Sequence, residues 1–102
     1  MIVVQGDFVI KEGKRDTALA AMRAVSEATE RLEAGCLRYR FYADLNNPLH
    51  FILYEEWESR AHLETHLHSE TPPPHVTAWR EAGPTFRESS AVKFMEAKRF
   101  QP

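Results

Sequence analysis

The chain has 102 residues, with 13 basic and 15 acidic side chains and a formal net charge of -2. This length fits one domain with its own core, spanning residues 1–102, because domains commonly have about 100–150 residues. The balanced charge provides no basic surface for phosphates, so we expect neither nucleic acid nor a membrane as a partner.

Cysteine content and the absence of long apolar runs indicate the compartment. The single cysteine, Cys36, excludes an internal disulfide and a metal centre built from cysteines, which suits a reducing cytosol. The amino terminus lacks a basic region followed by an apolar run, and no later stretch approaches the about 18 apolar residues of a membrane span. We therefore expect a cytoplasmic protein.

The first half of the chain predicts two strands around a long helix. Residues 2–10 are rich in β-branched and apolar side chains, which is typical of a strand. Over residues 14–33, apolar side chains recur at three- and four-residue steps, which predicts an amphipathic helix stopped by Gly35. Residues 36–43 alternate again and predict a second strand.

A turn of Asp, Asn and Pro then leads to a third strand over residues 49–57. This strand is apolar on both faces, with Phe51, Leu53 and Trp57 on one and Ile52 and Tyr54 on the other. A helix layer on one side alone would leave a hydrophobic face in water. We therefore expect a second copy of the chain to pack against this sheet.

The second half predicts two further helices and a last strand. Ser59 can cap a helix over residues 60–68, which the prolines at 72–74 prevent from continuing. We expect another helix to begin at Thr71 as its cap and to stop at Gly83-Pro84, followed by a loop and a strand over 91–100. The resulting order, β-α-β-β-α-α-β, predicts an α+β ferredoxin-like fold.

Several short motifs carry a family resemblance. At Tyr54-Glu55-Glu56-Trp57, Ala61-His62-Leu63, His66-Leu67, and Thr71-Pro72 with His75, the sequence resembles the antibiotic biosynthesis monooxygenase family, closest to its quinol monooxygenase-like members. The resemblance implies a homodimeric α+β barrel with a pocket between helices and sheet. It also implies oxidation of phenols or hydroquinones to quinones by O₂ with no cofactor, neither metal nor flavin. This chain differs in a longer turn before His75.

The resemblance and the helix pattern together favour His66 as the general base, because an imidazole beside an apolar stripe can accept a phenolic proton. His75 is the second candidate catalytic residue. Candidate substrate-binding residues are Trp57 as a stacking wall, together with His62, Tyr39, Phe41, Tyr54, Trp79 and Arg38. His62 and His66 also have the i, i+4 spacing of a metal pair, but the acid of His62-Leu63-Glu64-Thr65-His66 is one place late for the zincin motif, so we predict no metal site.

The leading hypothesis is thus a small cofactor-independent monooxygenase that oxidises an aromatic, hydroquinone-type compound with O₂. Two alternatives stay open. The same histidines could shuttle protons in an isomerase of a small phosphorylated or dicarbonyl metabolite, or the chain could be a small-ligand-binding dimer that converts nothing. The sequence does not separate these three.

Overall fold

The computed structural model describes residues 1–102. It contains three helices and one four-stranded antiparallel sheet in the order β2-β3-β1-β4. Their bounds are β1 (Ile2–Ile10), α1 (Arg15–Leu32), β2 (Cys36–Ala43), β3 (His50–Trp57), α2 (Arg60–His68), α3 (Pro74–Phe86) and β4 (Arg87–Glu96). The predicted element order and the α+β ferredoxin-like fold are confirmed. No helix combines the length and the apolar character needed to cross a bilayer.

The core lies between one face of the sheet and the helices. From α1, the apolar stripe that contains Ala18, Met22 and Val25 is buried. From β3, the alternate residues Phe51, Leu53 and Trp57 point to the same side, because successive side chains of a strand alternate between faces. The opposite face of the sheet carries the other residues of each strand and has no helix over it, as the sequence predicts for a single helix layer.

The third helix differs from its prediction at both ends. Its cap is Pro73, in an extended conformation, and not Thr71. A residue that precedes proline is kept out of the helical region, so Pro72 and Pro73 cannot belong to the first turn. At the other end, the helix passes through Gly83 and Pro84 to Phe86. A proline one turn from the end removes few hydrogen bonds, and the fully buried ring of Phe86 holds the last turn on the core.

The last strand also begins earlier than predicted. No loop separates it from α3, since Arg87 directly follows Phe86 and already pairs with Ile10. The strand ends at Glu96, opposite Ile2, so the length of β1 sets the length of β4. Phe100, predicted to lie in this strand, is outside it and 83% exposed.

Two local features, a helix cap and a glycine turn, position the residues around the site. The hydroxyl of Ser59 accepts a hydrogen bond from the His62 N–H, which confirms it as the cap of α2. Gly35 adopts a φ of +79°, a conformation that side chains disfavour, and it turns the chain from α1 into β2. This short connection holds Glu33, the C-cap residue of α1, beside the other two helices.

Candidate functional site

A cavity of about 210 Å³ lies between the helices and the sheet. Its floor consists of neighbouring residues on three strands, Val4, Tyr39 and Glu55, because Glu55 pairs with Val4 on one side and Tyr39 on the other. The remaining walls come from the helices, with Val25, His66, Leu67, Val76, Trp79 and Arg80, and from β4, with Val92 and Phe94. A mostly apolar cavity with a few convergent polar groups is typical of a small-ligand site.

Glu33 joins two histidines from two different helices. Its Oε1 lies 2.7 Å from Nδ1 of His66, and its Oε2 lies 2.7 Å from Nε2 of His75. All three side chains are largely buried. Because a carboxylate only accepts, each histidine donates the N–H that faces Glu33. This sets the tautomer of neutral His66, whose Nε2 is then unprotonated and has no hydrogen-bond partner within the protein.

The two histidines also decide the charge of Glu33. Burial acts to raise the pKa of its carboxyl group, but the hydrogen bonds from His66 and His75 outweigh burial and bring the pKa below its usual value. Glu33 is therefore an anion at neutral pH. An anion at this position stabilises a positive charge on His66, as a general base requires after it has accepted a proton.

Glu55 on the cavity floor is in the opposite electrostatic situation. The side chain is 5% exposed and accepts one hydrogen bond, at 2.9 Å, from the indole N–H of Trp57. Burial raises the pKa of Glu55, and the anionic Glu33 adds to the effect, whereas the Trp57 hydrogen bond and His66 oppose it. Burial likewise raises the pKa of Tyr39 well above its ordinary value, which keeps the phenol protonated.

Aromatic side chains hold the imidazole of His66 in place. The ring centroid of His66 lies 4.9 Å from that of Trp57 and 5.8 Å from that of Tyr39. The guanidinium of Arg80 donates to the backbone carbonyl of Leu67 at 3.0 Å, which ties α3 to the end of α2. His66 is therefore positioned by packing on two sides and by Glu33 on a third.

The structure brings together some of the residues predicted from the sequence. His66, Tyr39 and Trp79 line the cavity. His75 lies outside it and is connected to His66 only through the carboxylate of Glu33. Phe41 lies behind the cavity, where its ring packs against Trp79 at a centroid distance of 5.4 Å.

Besides Phe41, four predicted substrate-binding residues do not line the cavity. Trp57 is fully buried, so it supports His66 and Glu55 from behind and is not a stacking wall for a ligand. Tyr54 and Arg38 lie on the sheet face opposite the helices, because each is one position out of step with the residues on the floor. His62 turns towards the cap of its own helix, with Nδ1 2.7 Å from the hydroxyl of Ser59.

The histidines do not assemble into a metal centre. His62 bonds Ser59, whereas His66 and His75 approach Glu33 from different helices. No group of three or more His, Cys, Asp or Glu side chains has the geometry to hold a metal ion.

The sequence interpretation missed Glu33 as a site residue and left the role of Glu55 open between pairing with a cation and lying at the dimer contact. Glu33 carries no local signal, because a charged residue at the end of an amphipathic helix is usually solvated. Glu55 does carry a local signal, because it shares a strand face with Phe51, Leu53 and Trp57. An acid on an apolar face is almost never fully buried unless it is paired. Arg80 could not be identified, since it bonds a neighbouring helix.

One sequence family and several solved structures match this chain. The sequence profile of the family described as antibiotic biosynthesis monooxygenase matches residues 1–82. The chain belongs to this family. The chain is also 35% identical over 66 residues to an uncharacterised protein of Synechocystis. This match covers 65% of this chain and 44% of the length of that relative.

Solved structures of other proteins share the fold of this chain. One described as an antibiotic biosynthesis monooxygenase is 31% identical, with a TM-score of 0.81, over 97% of this chain and all of the other. A Deinococcus radiodurans protein provisionally assigned to the same family superimposes with a TM-score of 0.86 at 24% identity, covering 100% of this chain and 97% of the other. The Rv0793 protein of Mycobacterium tuberculosis gives a TM-score of 0.82 at 24% identity, over 99% and 98% of the two chains.

Proposed function

We propose that this protein is a cofactor-independent monooxygenase that oxidises a hydroquinone-type aromatic compound with O₂. The observation that carries the proposal is the unpartnered Nε2 of His66, held in the cavity wall by the Glu33 carboxylate at 2.7 Å from Nδ1. Membership of the antibiotic biosynthesis monooxygenase family supports the reaction class.

In this proposal, Nε2 of His66 removes the proton of a phenolic hydroxyl. The resulting phenolate gives up electrons to O₂ far more readily than the phenol does. One oxygen atom enters the ring and the other leaves as water, so that a dihydroxyarene and O₂ yield a hydroxyquinone and water. Glu33 stabilises the imidazolium formed in the first step, and His75 holds the second oxygen of Glu33.

The cavity suits one aromatic ring. A cavity of roughly 150 Å³ lined by apolar side chains is large enough to bind benzene. This cavity, at about 210 Å³, accommodates a ring with small substituents. Trp79 and Tyr39 replace Trp57 as the aromatic walls against which the substrate packs, and the apolar residues around them exclude water from the reactive intermediates.

We also propose that the working unit is a cytoplasmic homodimer. The support is the sheet face without a helix, which carries the half-buried side chains of Ile52 and Tyr54 and the exposed side chain of Met95 on β4. A second copy is the most economical cover for this apolar surface, because a symmetric pair buries the same patch on both subunits. The last strand, at the sheet edge, is our candidate for contact between subunits.

Proton-transfer isomerisation of a small dicarbonyl or phosphorylated metabolite is a second candidate. The observation that favours it is the presence of a base, His66, and a buried acid with raised pKa, Glu55, in the walls of one cavity. Such a pair can remove a proton from one atom and support protonation of another.

The deciding experiment compares aerobic and anaerobic incubation with a panel of one-ring hydroquinones, followed by quinone absorbance and oxygen consumption. The monooxygenase predicts enzyme-dependent turnover only in air. Turnover of a dicarbonyl under nitrogen would favour the isomerase instead. A ligand that raises the melting temperature and is never converted would indicate a binding module.

A further inference from the structure

Glu55 lines the cavity, and one of its two carboxyl oxygens, Oε2, has no hydrogen-bond partner within the protein. Oε1 accepts the indole N–H of Trp57 at 2.9 Å, and this is the only hydrogen bond that the carboxyl group makes. Val4 and Tyr39, its neighbours on the floor, make no hydrogen bond to Oε2 and carry no positive charge. Because core residues flank Glu55 on its strand, only a molecule bound in the cavity can form a further hydrogen bond with its carboxyl group.

The surroundings of Glu55 favour the neutral acid. A buried carboxylate without a cation loses its hydration and gains nothing comparable, whereas the neutral acid avoids that cost. The ionisable groups on the neighbouring elements are Glu33 and His66, which are hydrogen-bonded to each other. The only cationic side chain in the cavity wall, Arg80, is directed to the backbone carbonyls of His66 and Leu67.

A neutral Glu55 is a hydrogen-bond donor. Because the Trp57 N–H donates to Oε1, the acid proton is on Oε2, where no protein atom accepts it. The cavity therefore presents two complementary groups to a ligand. When His66 and Glu55 are both neutral, Nε2 of His66 accepts a hydrogen bond from one side of the ligand, and Oε2–H of Glu55 donates a hydrogen bond from the floor.

We propose that Glu55 is a specificity-determining residue that selects arenes with two oxygen functions: one hydroxyl that donates to His66 and a second oxygen that accepts from Glu55. The inference rests on the proposed use of this cavity for an aromatic substrate. It goes further by assigning a role to Glu55. The second oxygen of the ligand needs only to accept a hydrogen bond, so the oxygen of a methyl ether can pair with Glu55 as well as a hydroxyl oxygen can.

Matched ligands test this requirement without any turnover. Para-methoxyphenol and para-ethylphenol both keep the phenolic hydroxyl, but the second replaces the ether oxygen by a methylene group. Their dissociation constants are measured by calorimetry under nitrogen, with the ortho pair alongside. For each protein variant, the readout is the dissociation constant of the ethyl ligand divided by that of the methoxy ligand. Comparing this ratio between variants cancels the difference in intrinsic hydrophobicity of the two ligands.

Two variants separate the donor from the shape of the side chain. In Glu55→Gln, the amide oxygen can still accept from Trp57 and the amide N–H can still donate, so we expect the wild-type ratio. In Glu55→Met the donor is absent, and we expect the ratio to fall by about three- to tenfold, the worth of one hydrogen bond. His66→Ala should weaken both ligands and leave the ratio unchanged.

A spectroscopic measurement on the unliganded protein covers the case in which Glu55→Met does not fold. The infrared spectrum of the wild type minus that of Glu55→Gln at pH 7 should contain the C=O stretch of a protonated carboxylic acid. A carboxylate band in its place, an unchanged ratio in Glu55→Met, or no binding of any of the four phenols would overturn the proposal. If the ratio falls in Glu55→Met as expected but no oxygen-dependent turnover is found, the oxygenase is rejected and the role of Glu55 stands.

Discussion

Glu33 and His66 are 33 residues apart in the chain, yet Oε1 of the carboxylate lies 2.7 Å from Nδ1 of the imidazole. One end of α1 is thereby joined to α2, and the second carboxylate oxygen extends the contact to His75 on α3. Since all three helices meet at this carboxylate, it serves both stability and the orientation of the proposed base.

The first prediction concerns His66 itself. His66→Ala should lower oxygen-dependent turnover of a hydroquinone by about 10²- to 10⁴-fold, the usual contribution of a positioned general base. The measurement is the initial rate of quinone formation in air. His68→Ala is the matched control, because His68 is exposed on the same helix, and its rate should equal that of the wild type. Equal rates in both variants would exclude His66 as the base.

The second prediction concerns the acid stability that Glu33 provides. Its folded-state pKa is lowered, so its contribution is complete above the pKa of an unfolded glutamate, about 4.3, and is lost as the pH falls towards the folded value. At pH 7, Glu33→Gln should lower the free energy of unfolding by about 2 kcal/mol, the worth of a charge-assisted hydrogen bond in a buried site.

The difference between Glu33→Gln and the wild type should therefore shrink as the pH is lowered below about 4.3. Urea unfolding at a series of pH values measures it. Glu27→Gln, an exposed acid on the same helix, should follow the wild-type pH profile. A constant gap at every pH would mean that the carboxylate charge of Glu33 contributes nothing to stability.

The third prediction concerns the turn that positions Glu33. Gly13 and Gly35 both have a φ of +79°, but a Cβ on Gly35 would overlap the imidazole of His62, whereas one on Gly13 meets nothing within 4 Å. Gly13→Ala should therefore cost only the backbone term, about 1 kcal/mol. Gly35→Ala should cost distinctly more, and the difference in urea unfolding isolates the contact with His62. If both variants lost the same free energy of unfolding, the side chain of His62 would move away from the new Cβ at no cost.

The fourth prediction concerns the uncovered sheet face. Ile52→Lys places a charge at the centre of the face that we propose to be covered by a second copy, and it should convert a dimer into a monomer in light scattering. Leu45→Lys makes a closely similar change at a fully exposed turn and should leave the mass unchanged. A wild-type mass of about 11.8 kDa at micromolar concentration would contradict the homodimer.

The elements that could be predicted are those that depend on neighbours in the chain. The alternation of residues 36–43 and the Ser59 cap are local patterns, and both agree with the structure. The end of α3 could not be predicted, because a proline in a last turn is tolerated only when a buried anchor such as Phe86 compensates for it. The start of β4 depended on pairing with β1, more than 70 residues away in the chain.

For the site, the sequence by itself determined that His66 would lie beside an apolar stripe and that Glu55 would share a strand face with Trp57, since helical and strand periodicity decide these positions. Only the tertiary structure decided that the helices cover that face, which makes Trp57 core and excludes Tyr54 and Arg38 from the cavity. It alone joined Glu33 to His66 and His75, because a contact between three helices depends on how they pack and on no repeat within any one of them.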